Sequence, residues 1–102
     1  MEAIYNAIKQ NLYEELPVGI KEVWLFGSYA RGEERINSDI DIMIVHNDEI
    51  SLYNDILPVT SDITYNLYNK YDIYCSFIST DEESFSQYWP LFNTIRKEGL
   101  LL

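Results

Sequence analysis

Two carboxylates set into an otherwise apolar run constrain this chain more than any other feature: Asp39-Ile40-Asp41-Ile42-Met43-Ile44-Val45. An unbroken row of aliphatic and β-branched residues reads as a buried strand. A strand turns successive side chains to opposite faces, so Asp39 and Asp41 project to one side and Ile40 and Ile42 to the other. The two carboxylates then sit about 6–7 Å apart, and both must face solvent or a cation, because an uncompensated charge is too costly in a core. Taken alone, the pair could be no more than charges on an edge strand.

A second feature precedes the first at a defined distance. The apolar run Val23-Trp24-Leu25-Phe26 is interrupted by Gly27-Ser28, and the ten residues Tyr29 to Ser38 separate Ser28 from Asp39, giving G-S-x10-D-x-D. Glycine lets the backbone turn and lets a phosphate approach with no Cβ in the way. Ser28 offers a hydroxyl and a backbone N–H. Tyr29-Ala30-Arg31 can open a short helix whose first N–H groups face an anion, and Arg31 adds a permanent charge able to grip phosphate oxygens bidentately. Two hard carboxylates suit one or two Mg²⁺ ions, which otherwise bind water and substrate phosphates. Such metals polarise an α-phosphate, align an attacking hydroxyl and shield departing pyrophosphate. In this order, flanked by apolar strands, the two features outweigh the ordinary reading of a turn plus surface charge.

The pattern resembles the signature of the minimal nucleotidyltransferases, a compact branch of the DNA polymerase β-like superfamily. The likeness is densest over residues 20–46. It extends through Lys70-Tyr71-Asp72-Ile73-Tyr74-Cys75-Ser76-Phe77-Ile78-Ser79 and from Pro90-Leu91-Phe92 to Arg96-Lys97-Glu98-Gly99. It implies an α/β (α+β) nucleotidyltransferase-like fold, a small mixed sheet with helices packed on it. It also implies an Mg²⁺-dependent enzyme that moves a nucleoside monophosphate from a triphosphate to an acceptor hydroxyl. Asp39 and Asp41 would be catalytic and hold the metal; Gly27, Ser28 and Arg31 would bind the nucleotide. ATP, and hence AMP transfer, is implied by the resemblance alone. Related small proteins often serve as antitoxins beside a HEPN-domain partner, which they adenylylate or mask. That leaves a second expectation, a binding module for a HEPN-like protein with weak or no catalysis, and a third, a nucleotide sensor. The superfamily usually carries a third carboxylate in the middle of the strand that follows D-x-D. Here Ser76 stands where that acid is expected, and Asp72 supplies it only if the strand is shifted by four residues; otherwise Asp72 is a charge at the strand entrance.

With 102 residues the chain has room for one domain, residues 1–102, and no second core. Seventeen acids against seven bases give a formal charge of −10, which opposes general binding of DNA or RNA, since that affinity comes from Lys and Arg displacing counterions. The acidity either favours a protein acceptor with a basic or mixed surface or serves solubility alone. No segment has the ~18 continuous apolar residues of a membrane span. Met1-Glu2-Ala3-Ile4-Tyr5 lacks the basic and apolar regions of a signal peptide. A single cysteine, Cys75, excludes an internal disulfide and suits a reducing cytosol; it reads as a small buried residue. The one histidine, His46, reads as a strand-end contact, with no zinc set around it.

The remaining periodicities predict a helix over 2–16, strands over 20–26 and 39–46, and a short helix near 49–56 capped by Asn47 or Asp48. Pro58 then predicts a break, followed by a helix from about 60 to 70. A third strand over 72–79 would put Asp72, Tyr74 and Ser76 on one face. A helix start follows at Thr80 with Glu83 in capping-box spacing, and a last helix over 91–98 ends at Gly99. The helices are expected on one side of the sheet, with Trp24 and Phe26 in the core and Tyr65, Tyr68, Tyr71 and Tyr74 in packing roles.

Overall fold

The structure, a computed structural model, describes residues 1–35 and 37–102. Helix α1 (Glu2–Glu15) buries Ile8 and Leu12 and ends at Leu16, after which the chain turns into β1 (Ile20–Phe26). A single-turn helix α2 (Ser28–Arg31) follows, then β2 (Ile40–His46), α3 (Leu57–Tyr71), β3 (Cys75–Asp81), α4 (Glu82–Phe85), α5 (Pro90–Glu98) and a two-residue β4 (Leu100–Leu101). The sheet has the order β3-β2-β1-β4. β1 is antiparallel to both β2 and β4, whereas β2 and β3 run parallel. The mixed sheet with packed helices agrees with the expected fold.

The sheet is covered on both faces, not on one. Val23, Leu25, Ile40, Ile42 and Ile44 join Ile8, Leu12, Ile63 and Leu67 in the larger core, beneath α1 and α3. The intervening residues Met43 and Val45, with Trp24 and Phe26 partly buried, pack on Phe85 and Phe92 and on the fully buried Ile95, beneath α4 and α5. The reason lies in β2 itself: Ile42, Met43, Ile44 and Val45 are apolar on both sides, and such a strand needs cover on both. Where the second face carries Asp39 and Asp41 instead of Met43 and Val45, α4 and α5 have nothing apolar to bury, and that end of the sheet stays open.

Pro58 does not break a helix. It occupies the first turn of α3, where its missing N–H has no partner to lose. A wide turn over Leu52–Ile56, closed by Ile56 N–H donating to Ser51 O at 3.0 Å, runs straight into α3. Its cap is Ser51, whose hydroxyl accepts from Asn54 N–H at 3.1 Å; Asn47 instead makes a local turn, accepting from Glu49 N–H at 2.9 Å. The third strand begins at Cys75 rather than Asp72, because α3 persists to Tyr71 and Asp72 caps it in a left-handed conformation (φ 57°, ψ 38°). Asp81, not Thr80, caps α4, its carboxylate accepting from Ser84 N–H at 2.7 Å. Pro90 starts α5 instead of interrupting it. No described helix is long and apolar enough to cross a membrane.

Candidate active site

Phe26, the last residue of β1, pairs with Asp41 on β2, so the turn that leaves β1 lies directly against the Asp41 carboxylate. That turn is Gly27, at φ 75° and ψ −155°, a region that essentially only glycine occupies. A Cβ placed there would stand 2.3 Å from Asp41 Oδ2. The backbone change of direction and the close approach to the carboxylate are therefore one requirement, met by one residue. Ser28 opens α2; Gly32 ends it in the left-handed region, and Glu33 N–H donates back to Ser28 O at 2.9 Å.

Asp39 is exposed just before β2, and Asp41 is half-buried within it. Burial raises the Asp41 carboxyl above the ordinary carboxylate range; the negative Asp39 beside it raises it further, and Arg31 opposes both. A group whose folded pKa lies above its unfolded value contributes stability at low pH and loses it as pH rises through the folded pKa. Asp41→Asn should therefore melt at a higher temperature than the parent at pH 7 without divalent cations, and the gap should close on acidification below the ordinary carboxylate range. Thermal unfolding across pH checks this, and identical melting at pH 7 would contradict it.

Arg31 is drawn towards acids. Its Nε donates to Glu33 Oε2 at 3.0 Å, and its Nη1 lies 3.9 Å from Glu98 Oε2 at the end of α5. Both pairs are exposed, so each is weak and exchangeable; a triphosphate would compete with Glu33 for the guanidinium.

The parallel register pairs Asp41 with Ser76. Ser76 thus stands beside Asp41 on the neighbouring strand, where an acid was sought. Asp72 lies off the strand, in the cap of α3, its N–H donating to Tyr68 O at 2.9 Å. The alternation that would have aligned it with Tyr74 and Ser76 does not reach it. It does line a cavity of about 500 Å³ with Tyr29, Ser38, Asp39 and Tyr74. Among the described residues, no group of three His, Cys, Asp or Glu side chains is placed to hold a metal. The structure brings Gly27, Ser28, Arg31, Asp39 and Asp41 to one end of the sheet and leaves Asp72 on the Asp39 side only.

Two residues of this region escaped the sequence reading in part. Tyr29 and Tyr74 wall the cavity beside Asp39, and Tyr74 packs on Tyr68 with ring centroids 4.9 Å apart. The position of Tyr74, two residues before Ser76, was the available signal. Cys75 is buried, and desolvation, followed by the charges of Asp41 and Asp39, pushes its thiol up to about 12; it is no nucleophile at neutral pH. His46 closes the far end of β2, with Nδ1 2.7 Å from Asn47 O.

Residues 5–96 match the model of the nucleotidyltransferase domain family. The chain is 34% identical over 85 residues to a protein of Methanocaldococcus jannaschii provisionally named a protein adenylyltransferase; the match covers 81% of this chain and 78% of that protein. A crystal structure of a toxin–antitoxin with AMP-PNP superposes with a TM-score of 0.65 at 23% identity, over 94% of this chain and 69% of that one. A structure of the tri-AMPylated Shewanella oneidensis HEPN toxin in complex with MNT antitoxin gives a TM-score of 0.59 at 20% identity, over 98% of this chain and 69% of the matched chain. At such identities the two structures speak for the fold. The turn at Gly27-Ser28, the paired carboxylates and the match over residues 5–96 agree: this chain belongs to the nucleotidyltransferase domain family.

Proposed function

We propose that residues 1–102 act as one nucleotidyltransferase domain that moves AMP from ATP to a hydroxyl of a HEPN-like partner protein. The observation that carries this reading is the close approach of the Gly27 turn to Asp41, a carboxylate already burdened by burial and by Asp39. That donor set fits Mg²⁺. Two carboxylate side chains at an open sheet end, one of them reluctant to ionise alone, are oxygen ligands whose repulsion a divalent cation relieves. Asp39 and Asp41 would hold it, and when bound it would supply charge neutralisation at the phosphates and orientation of the attacking hydroxyl.

The chain's own residues have separate roles. Gly27 lets the turn lie against the Asp41 carboxylate, which would bring phosphate oxygens on the turn next to the metal ligands, and Ser28 donates to those oxygens through its hydroxyl and N–H. Arg31, released from Glu33, draws charge from the leaving pyrophosphate. The Tyr29–Tyr74 cavity beside Asp39 is open to the rest of the nucleotide. The protein acceptor is supported by the name of the M. jannaschii relative and by the AMPylated toxin in the Shewanella complex, and a charge of −10 disfavours nucleic acid as a general acceptor. The test is α-labelled ATP and Mg²⁺ with a HEPN-like partner encoded in the same genome. Label on the partner supports transfer; none, with ATP still bound, contradicts it.

One observation favours a second reading, a partner-binding or nucleotide-sensing module with little turnover: Ser76 occupies the place beside Asp41. The two readings part on one substitution. Ser76→Asp should raise label transfer about tenfold or more if the site is a transferase short of an acid, since ~1.4 kcal/mol of transition-state stabilisation suffices for that factor. An unchanged rate would show that the site does not lack an acid there.

A further inference from the structure

β3 is the outermost strand of the sheet, and among the described residues no strand pairs with its outer side. Ile40 N–H donates to Tyr74 O at 2.9 Å. In a parallel pair, alternate residues face the neighbour, so Tyr74, Ser76 and Ile78 turn their backbone groups inward to β2, while Phe77 and Ser79 turn theirs outward. Native sheets blunt such an edge with proline, lysine or a covering element; β3 reads Cys75-Ser76-Phe77-Ile78-Ser79-Thr80-Asp81 and has neither proline nor lysine.

The surface beside this edge is apolar. A groove of about 510 Å³ runs between β3 and α3, lined among others by Leu57, Thr64, Tyr65, Tyr68, Tyr74 and Phe77. Tyr65 is 70% exposed, Tyr74 56% and Leu57 40%. Phe77 pairs with Ile42 and packs against the larger core, which places the groove on the α3 face, just past the strand. A strand added to β3 would drop every second side chain towards it.

The charge around the edge selects the occupant. Asp72 precedes β3, Asp81 ends it, Glu82 and Glu83 follow it, and Lys70 is the only base on α3. A second copy of this chain pairing antiparallel through β3 would set the Asp81-Glu82-Glu83 end of one molecule against Asp72 of the other. Two chains of −10 would meet acid to acid. We infer that β3 is a docking edge for an extended segment of a partner protein, apolar at alternate positions and flanked by Lys or Arg, which adds as a fifth strand and fills the groove over α3. This goes beyond nucleotidyl transfer and does not depend on it. Only the corollary, that such a segment would deliver an acceptor beside Ser76 and two strands from Asp41, rests on that reading.

The probe is a synthetic peptide with paired lysines at each end of an alternating threonine–valine centre, added to the intact protein. Amide hydrogen exchange should show new protection at Phe77 and Ser79. Fluorescence titration should show binding that weakens several-fold between low and moderate salt, and at least tenfold when the terminal lysines become glutamates. Ser79→Pro removes an outward N–H without touching the β2 pairing and should abolish binding. Because a proline can also disturb the strand, Glu82→Lys with Glu83→Lys gives an independent reading: weaker binding of the lysine peptide and stronger binding of the glutamate peptide. ATP binding, measured alongside, should be unchanged in every variant, which separates failure of the docking edge from failure of the nucleotide site. The proposal is overturned if the peptide protects no β3 amide, if the charge reversal leaves both peptides' affinities unaltered, or if the protein alone sediments as a dimer with Phe77 and Ser79 already protected.

Discussion

Gly27→Ala should lose nucleotide affinity and folding stability together. The backbone at φ 75° and ψ −155° holds an L-residue only with strain, about 1–3 kcal/mol. The new methyl would also stand 2.3 Å from Asp41 Oδ2, well inside contact distance, so either the turn or the carboxylate must move. In a domain of this size each kcal/mol shifts the melting temperature by about 4–8 °C, and a fall of about 5–20 °C is expected. The matched control is Gly32→Ala. Gly32 also has positive φ, at 69°, but a Cβ there meets nothing within 4 Å, so this variant should pay only the smaller left-handed cost, about 1–2 kcal/mol, and keep its affinity for ATP. Calorimetry and a nucleotide-binding titration on both variants decide the matter. Equal ATP affinity in the two would show that the Gly27 turn does not shape the site.

The contrast between these glycines shows where the sequence was legible. The G-S-x10-D-x-D spacing located the turn and the carboxylates, and residues 20–26 formed the predicted strand to the residue, because apolar alternation and a following glycine are local signals. It could not reveal that Gly27 touches Asp41: that contact depends on the antiparallel register of β1 on β2, which is set by the turn and the core between them. Pro58 misled for a related reason. A proline breaks a helix interior and suits a first turn equally well, and which applies depends on whether a helix already precedes it. The preceding turn ends two residues earlier, at Ile56, and α3 begins at Leu57. Asp72 misled through alternation assumed too early, since α3 kept its hydrogen bonds to Tyr71 and held Asp72 in its cap. The second face of the sheet was visible in Met43 and Val45, both apolar on the side of the carboxylates; α4 and α5, which cover them, were legible as helices, but helix periodicity does not say which face of a sheet a helix will cover. β4 is two residues long and makes no pattern at all.

Asp39→Asn with Asp41→Asn should abolish nucleotidyl transfer while leaving the protein folded. Both side chains lie at the open end of the sheet rather than in either core: Asp39 is exposed and Asp41 only half-buried, and neither belongs to the apolar clusters. Replacing them by amides of the same shape removes a like-charge repulsion that already raises Asp41, so melting at pH 7 should be no lower than in the parent. The chemistry, by contrast, loses the paired carboxylates that lie beside the Gly27 turn. A metal's stabilisation of developing phosphoryl charge amounts to several kcal/mol, and at ~1.4 kcal/mol per factor of ten the rate should fall by about a thousandfold or more. The measurement is label transfer from α-labelled ATP at saturating Mg²⁺, with circular dichroism on the same samples. A double variant that stays folded and still transfers at the parental rate would remove Asp39 and Asp41 from the mechanism. One that stays folded, stops transferring and still captures the partner would place catalysis and docking on separate parts of the molecule, the open end of β2 and a surface elsewhere.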